Sequence, residues 1–209
     1  MNINDILKKE FNLRDEQINN TIKLIDEGNT IPFIARYRKE MTGEMSDVTL
    51  RAFYDKLIYL RNLQNRKDDV IRIIEEQGKL TSEIKVSIEK ANTLQEVEDI
   101  YAPYKQKKRT RATIAKERGL EQLALDILNK NISNIVNSVE DAIKGANDII
   151  AEIVSDDAKI RKYIRELALR EGVIVTKNSN EEKSVYDMYY DYSESVKTIA
   201  PHRVLAINR

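Results

Sequence analysis

The stretch SDVTLRAFYDKLIYLRNLQNRKDDVIRIIEEQ, residues 46–77, decides the fold of this chain. Its apolar side chains recur every three or four residues and Ser46 stands where an N-cap belongs, so we predict one long helix at about 47–77. Because polar residues interrupt the seam in its middle, we expect a strut that packs on helices of the same chain rather than an intermolecular coiled coil. The predicted seam consists of Leu50, Phe53, Leu57, Leu60, Gln64, Lys67, Ile71 and Ile74.

The rest of the 209-residue chain also has helical patterns. Four of its six glycines follow such a pattern, as expected of a residue just past a helix end. We therefore predict an all-α, multi-helix scaffold, with one short strand at the β-branched residues 173–175. Other helices are predicted at 3–11, 14–27, 82–91, 111–118, 120–129 and 156–170, with two more capped at Thr93 and Ser138.

An asparagine-rich segment at 129–137 predicts the main internal boundary. It separates a helical N-terminal region, 1–130, from a helical hairpin and tail, 131–209. The polar residues 177–183 predict a mobile loop. The tail carries four tyrosines between 186 and 192 and an apolar run at 204–207, so we expect it to pack on a downstream domain and the chain to be a fragment.

Composition limits the function classes. The formal net charge is zero, 41% of residues are hydrophobic and 33% are charged, which is typical of a globular protein. The chain has no cysteine, which excludes zinc fingers and disulfides and suits a reducing cytoplasm. No segment has the roughly 20 apolar residues of a membrane span, and no signal peptide is evident. We expect a cytoplasmic protein with no membrane partner.

Catalytic patterns are missing from the sequence. His202 is the only histidine and has no cysteine to partner it, so a surface or helix-capping role is expected. Adjacent acids such as Asp68 and Asp69 point about 100° apart on a helix and cannot act on one atom. The glycines are too isolated for a phosphate-binding loop, and no spacing indicates metal ligands. We predict no enzyme, no metal and no cofactor.

The segment 99–120, DIYAPYKQKKRTRATIAKERGL, concentrates positive charge. Between 101 and 120 it has seven basic residues and one acid, Glu117. Such a segment is either a solvated loop or a phosphate-binding one, and the mutual repulsion of its cations favours a polyanion partner unless acids elsewhere offset it. The two short helices that meet at Gly119 outline a helix-turn-helix-like pair near 111–129. The candidate nucleic-acid-binding residues here are Lys105, Lys107, Lys108, Arg109 and Arg111.

A second basic cluster follows Pro32, which fits the first turn of a short helix that ends before Gly43. It places Arg36, Arg38 and Lys39 close together at a helix end and loop. Cations there suit the negative end of the helix dipole, and they equally suit a contact with phosphate or a protein partner. These three residues are the remaining candidates for nucleic-acid binding.

Four blocks of sequence together carry a resemblance to a known family. The blocks are IPFIARYRKEMTG at 31–43, LRNLQNRKDDVIRIIEEQGKLT at 60–81, EDIYAPYKQKKRTRATIAKERGLEQLA at 98–124 and YYDYSESVKTIAPHRVLAINR at 189–209. They resemble the N-terminal region of the bacterial Tex proteins, the transcription accessory family. The resemblance implies a helical N-terminal region with a helix-turn-helix-like element, similar to the core of a eukaryotic elongation factor of the Spt family. It also implies that an inactive ribonuclease-H-like domain, helix-hairpin-helix modules and an RNA-binding OB-fold follow.

Two functions remain open at this point. In the first, the chain is a non-enzymatic, nucleic-acid-associated transcription accessory factor that makes auxiliary contacts to the phosphate backbone of RNA or DNA. The resemblance assigns most of that binding to domains absent from this chain. In the second, the chain is a protein-interaction scaffold that braces downstream domains or docks on the transcription machinery.

Overall fold

The computed structural model describes residues 2–106, 108–131, 140–177 and 185–208. Within them the chain forms eleven α-helices and one two-stranded sheet, which confirms the predicted all-α class. It divides into two compact units, Met1–Tyr101 and Ala102–Arg209. The helices are α1 (Ile3–Phe11), α2 (Asp15–Asp26), α3 (Ile31–Tyr37), α4 (Asp47–Glu76), α5 (Ser82–Lys90), α6 (Leu94–Tyr101), α7 (Arg111–Glu117), α8 (Glu121–Leu128), α9 (Glu140–Asp156), α10 (Ala158–Glu171) and α11 (Pro201–Ile207).

Helix α4 runs for 30 residues and begins at the predicted cap, where Ser46 Oγ accepts the Thr49 N–H at 3.1 Å. The predicted seam is correct at six positions and wrong at Gln64 and Ile71, which are only partly buried. Leu63 and Val70 take those places, because a step of three residues from Leu60 keeps the buried stripe on one side of the helix. The buried stripe therefore continues through the middle of α4.

Lys67 is the one polar member of the buried stripe of α4, and its side chain lies in the core with 2% of the residue exposed. Its Nζ donates to the carbonyl oxygen of Glu89 at 2.9 Å, near the end of α5. Burial lowers the pKa of Lys67 below its ordinary value, although the charges of Glu89 and Glu96 act in the opposite direction. The ammonium thus ties α5 to α4 at the point where the sequence shows a polar interruption.

The core of the first unit gathers α1, α2 and α3 around the first half of α4. Leu7 of α1, Ile18 of α2 and Ile34 of α3 are fully buried there, beside Phe53 of α4. Helix α3 follows Thr30, carries Pro32 in its first turn and continues into a 3-10 turn, Lys39–Thr42. Gly43 ends that turn with a φ of 71°, in the left-handed region that favours glycine. This packing fixes which face of α3 is left in solvent.

The second unit has a smaller core, in which α7 and α8 pack on α9. Four alanines and Ile149 form it, so the helices lie close together. Gly145 of α9 permits this approach, since a Cβ there would lie 2.5 Å from Leu120 Cδ1. These contacts join residues on both sides of the predicted boundary at 130/131, which itself stays a prediction. Residues 132–139, which include most of the predicted asparagine-rich loop and Ser138, lie outside the described residues.

The last elements carry no buried residue among the positions that the structure describes. The predicted strand is confirmed as β1 (Val173–Val175), and it pairs antiparallel with β2 (Ser193–Ser195). Most of the predicted loop at 177–183 lies outside the described ranges. Helix α11 begins at Pro201 and places His202 on the surface. Arg203 of this helix donates to both carboxylate oxygens of Glu194, at 2.9 and 2.8 Å, and so fastens α11 to β2.

No helix in the described ranges has both the length and the apolar character that crossing a membrane requires.

Candidate nucleic-acid interface

The three cations at the end of α3 lie together on the surface of the first unit. Ile34 and Ala35 face the core, which leaves Arg36, Arg38 and Lys39 exposed. No carboxylate forms an ion pair with any of the three within the part of the chain that the structure describes. Arg38 donates from Nη1 to the carbonyl oxygen of Tyr37 at 3.3 Å. These positive charges are therefore exposed to solvent, and no carboxylate of the described residues compensates them.

Two shallow concavities flank these cations. The first has a volume of about 460 Å³ and is lined by Arg36 and Lys39 together with Asp47, which already pairs with Arg51 at 2.8 Å. The second, of about 480 Å³, is lined by the same two cations and by Arg38, Tyr37, Glu40 and Met41. Each concavity thus presents at least two cations and one carboxylate, a balance that favours an anionic ligand.

Two exposed aromatic rings lie beside the cations, and neither was predicted from the sequence as a site residue. Phe33 is 37% exposed and Tyr37 is 59% exposed, and their ring centroids are 5.3 Å apart. The Arg38 guanidinium carbon lies 5.6 Å from the centre of the Phe33 ring. The sequence does contain a signal, because positions 33 and 37 are one helical turn apart and lie off the face of Ile34. We call Phe33, Arg36, Tyr37, Arg38 and Lys39 the α3 patch.

The other candidate residues lie in the second unit, where the predicted order of loop and helix is confirmed. Thr110 caps α7, since its Oγ1 accepts the Thr113 N–H at 3.1 Å. Lys105 and Lys108 are exposed on the loop before this cap, whereas Lys107 lies outside the described residues. We call residues 105–118 the basic segment.

Among the described residues, acidic side chains of the second unit pair with at least four cations of the basic segment. Three of the four acids, Asp141, Asp148 and Glu152, are on α9. The hydrogen bond from Arg118 holds the pKa of Asp141 below its ordinary value. The repulsion within the basic segment is thus offset inside the unit, without a polyanion. The pairs are Arg109–Glu117 at 2.7 Å, Arg111–Asp148 at 3.5 Å, Lys116–Glu152 at 2.7 Å and Arg118–Asp141 at 2.7 Å.

Helices α7 and α8 form the predicted pair, joined at Gly119, whose φ is +76°. In a helix-turn-helix protein the second helix enters the major groove, where cations help to hold it against phosphates. Helix α8, with the sequence EQLALDIL, contains two acids and no basic residue. The charge of α8 therefore gives no support to a groove-binding role for this pair.

In the described ranges, no group of three or more histidine and acidic side chains is placed to hold a metal ion.

Two family models match this sequence in chain order. Residues 1–75 match the model described as Tex-like protein N-terminal domain, and residues 115–209 match the model described as Tex central region-like. The chain belongs to the Tex family. Of the four resembling blocks, those at 31–43 and 189–209 lie wholly inside these two matches, and those at 60–81 and 98–124 lie partly inside them.

Relatives of this Tex-family chain are longer proteins. The uncharacterized protein YdcI of Bacillus subtilis is 45% identical over 97% of the chain and 31% of its own length. The transcriptional accessory protein Tex of Neisseria gonorrhoeae is 38% identical over the whole chain and 30% of its own length. The human S1 RNA-binding domain-containing protein 1 is 29% identical over 98% of the chain and 23% of its own length. The chain thus spans less than a third of each of these proteins.

The Glu152 carboxylate gives a test of internal charge pairing in the second unit. It accepts from Lys116 Nζ at 2.7 Å and from Thr110 Oγ1 at 3.4 Å, and its side chain is 17% exposed. We expect Glu152→Gln to lower the free energy of unfolding by about 1 kcal/mol, because the partly buried hydrogen bond from Lys116 then has a neutral amide oxygen as acceptor in place of a carboxylate. Urea denaturation of the whole chain, followed by circular dichroism, measures this change.

Glu140→Gln is the matched control for that substitution. Glu140 also accepts from a lysine, Lys144, at 2.9 Å, but its side chain is 84% exposed. The control should alter the free energy of unfolding by less than about 0.5 kcal/mol. Equal effects of the two substitutions would show that the Lys116–Glu152 pair is no stronger than a surface pair.

Proposed function

We propose that this chain serves a Tex-type transcription accessory protein as a non-enzymatic nucleic-acid-binding region, and that it contacts the phosphate backbone of RNA or DNA. Membership of the Tex family supports the connection with transcription. The names of two relatives, a transcriptional accessory protein and an S1 RNA-binding domain-containing protein, support the connection with nucleic acid. In this proposal the chain binds nucleic acid in the cytoplasm, has the transcription machinery as a further partner and needs no cofactor.

The observation that carries this proposal is the group of exposed cations in the α3 patch. Arg36, Arg38 and Lys39 have no carboxylate partner within the described ranges, so each can approach a phosphate without first breaking an ion pair. Phosphate contacts of this kind release counterions from the nucleic acid, which makes them favourable at low salt. They position a strand and read no bases, in keeping with an auxiliary role.

The basic segment contributes less to this binding than its net charge indicates. Arg109 and Arg111 have acids at 2.7 and 3.5 Å, and a phosphate must compete with those carboxylates. Both arginine side chains are largely exposed, and ion pairs at such exposed positions are worth at most about 1 kcal/mol, so a phosphate can compete with the carboxylates. Lys105 and Lys108, in the loop before the cap of α7, complete this secondary contact together with Lys107, which lies between them in the sequence.

A second function, a scaffold for protein contacts, is favoured by exposed apolar side chains near the C-terminal end. Val175 is 70% exposed, Val185 86%, Met188 72% and Leu205 70%. Apolar groups this exposed mark a surface that packs on another domain where they form one contiguous patch, as this second function requires. In this proposal the second unit braces a downstream domain of the longer protein or docks on the transcription machinery.

Salt-dependent binding tests the first function. Replacing Arg36, Arg38 and Lys39 together with alanine should weaken binding of a fluorescent RNA or DNA by about tenfold or more at low salt. It should also make the slope of log affinity against log salt less negative by about 2 to 3, because about three phosphate contacts are lost. Fluorescence anisotropy across a salt series measures both quantities.

The matched control removes the same charge elsewhere in the first unit. Lys9, Lys79 and Lys85 are exposed, and their joint replacement with alanine should change affinity by no more than about threefold. Replacing Lys105, Lys107, Lys108, Arg109 and Arg111 with alanine should cause a smaller loss than the α3 substitutions. Absence of binding by the unsubstituted chain at low salt, or equal losses for the α3 and control sets, would refute the proposal.

Hydrogen exchange in a longer relative tests the second function. In full-length YdcI of Bacillus subtilis, the segment that aligns with 186–207 should exchange its amides at least about tenfold more slowly than in the isolated portion that aligns with this chain. Burial of this segment against another domain would produce the protection. Equal exchange in the two forms counts against the scaffold.

A further inference from the structure

We propose that Tyr37 is a stacking platform for an unpaired base, so that the α3 patch binds single-stranded nucleic acid in preference to duplex. The inference deepens the proposed function and rests on it, because it adds a base contact to phosphate contacts at the same site. Phosphate contacts alone do not distinguish single-stranded from duplex nucleic acid by the accessibility of the bases. An aromatic ring that stacks on a base does, because the faces of the bases are accessible only in a single strand.

The position of Tyr37 makes its ring available. Ile34 and Ala35 occupy the side of α3 that faces the core, so Tyr37 is directed away from it and remains 59% exposed. Phe33 lies one turn earlier, with its ring tilted 47° to that of Tyr37 at a centroid distance of 5.3 Å. This contact supports the Tyr37 ring from one side, and a supported ring loses less conformational freedom when a base stacks on it.

Within the described residues, the cation nearest to these two rings stacks on Phe33 and none stacks on Tyr37. The Arg38 guanidinium lies by the Phe33 ring, 5.6 Å from its centre. Arg36 and Lys39 line both concavities beside the helix end. A base on Tyr37 would therefore have its flanking phosphates within reach of Arg36 and Lys39.

The combination of cations with an exposed ring matches the chemistry of single strands. In a duplex each base is stacked on its neighbours, and only its edges are accessible in the grooves. The ring of a protruding tyrosine has no base face to stack on in a duplex, where only its hydroxyl can contribute, by donating to a phosphate oxygen. In an unpaired strand the base faces are available, and aromatic rings beside positive charge bind them with little regard to sequence.

The carboxylates near the α3 patch do not oppose this reading. Asp47 is paired with Arg51, and Glu40 is an exposed, solvated side chain. An acidic peptide could also pair with the cations of the α3 patch, but it has no flat group that needs the Tyr37 ring. The exposed ring is the feature that favours a nucleic acid over such a peptide.

Three probes of about twelve units each separate base stacking from phosphate contact. They are a single strand of thymidines, a single strand of abasic nucleotides with the same number of phosphates, and a duplex of the same length. We expect Tyr37→Ala in the whole chain to weaken binding of the thymidine strand about tenfold and of the other two probes by less than about twofold. Tyr37→Phe, which keeps the ring, should bind the thymidine strand within about twofold of the unsubstituted chain.

Tyr163→Ala is the matched control, because Tyr163 in α10 is 60% exposed but lies in the second unit. It should leave the affinity for all three probes unchanged. Circular dichroism of each variant establishes that the helices are intact, as expected for exposed side chains.

The outcomes distinguish stacking from the phosphate contacts on which it rests. If Tyr37→Ala affects the thymidine and abasic strands equally, or neither, while the Arg36, Arg38 and Lys39 replacements abolish binding, the stacking site is refuted and the proposed function stands. If no probe binds the unsubstituted chain, the proposed function fails. Binding of polyglutamate as tightly as the thymidine strand, with the same dependence on Tyr37, would assign the α3 patch to acidic peptides and overturn this proposal.

Discussion

The burial of one continuous stripe of α4 is the constraint on which the first unit depends. Residues from Leu50 to Ile74 along this stripe are covered, and Lys67 within it satisfies its ammonium on the Glu89 carbonyl. The first half of the stripe collects α1, α2 and α3 into one core. Helix α3 is only seven residues long and gives Ile34 and Ala35 to that core, while its side chains at 33, 36 and 37 lie on the surface. The exposed α3 patch is thus a consequence of how α4 is packed.

Positive charge is handled differently in the two units. The basic segment carries more of it, but α9 supplies Asp141, Asp148 and Glu152 as partners, and Glu152 also accepts from the Thr110 hydroxyl. The α3 patch carries fewer cations and has no such carboxylate partner in the described ranges. As a candidate phosphate-binding surface, the basic segment ranks first when charges are counted along the sequence. The α3 patch ranks first when the ion pairs that those charges form are taken into account. Whether a cation already has a carboxylate partner, and not how many cations lie near it, decides how favourable its contact with a phosphate is.

The sequence predicts most of the helices because capping and periodicity are local properties. Helix α1 occupies the predicted range 3–11, and α4 begins at its predicted cap. Strand β2 was missed, since its sequence SES has no β-forming pattern and is ordered only by pairing with β1. The charge pairs between α7 and α9 could not be predicted, because they join residues more than 20 positions apart and depend on how two helices pack. For Tyr37 the sequence gives only its spacing of one helical turn from Phe33, and its exposure also depends on which side of α3 meets α4.

Ultraviolet crosslinking of the whole chain to a uridine-containing single-stranded RNA, with the sites located by mass spectrometry, tests the central claim most directly. That claim is that the α3 patch, rather than the paired basic segment, is the principal contact with nucleic acid. The account predicts that the main crosslinked residues lie between 33 and 39, with weaker crosslinks at 105–111. Crosslinks confined to the basic segment, or scattered evenly over both units, would contradict it.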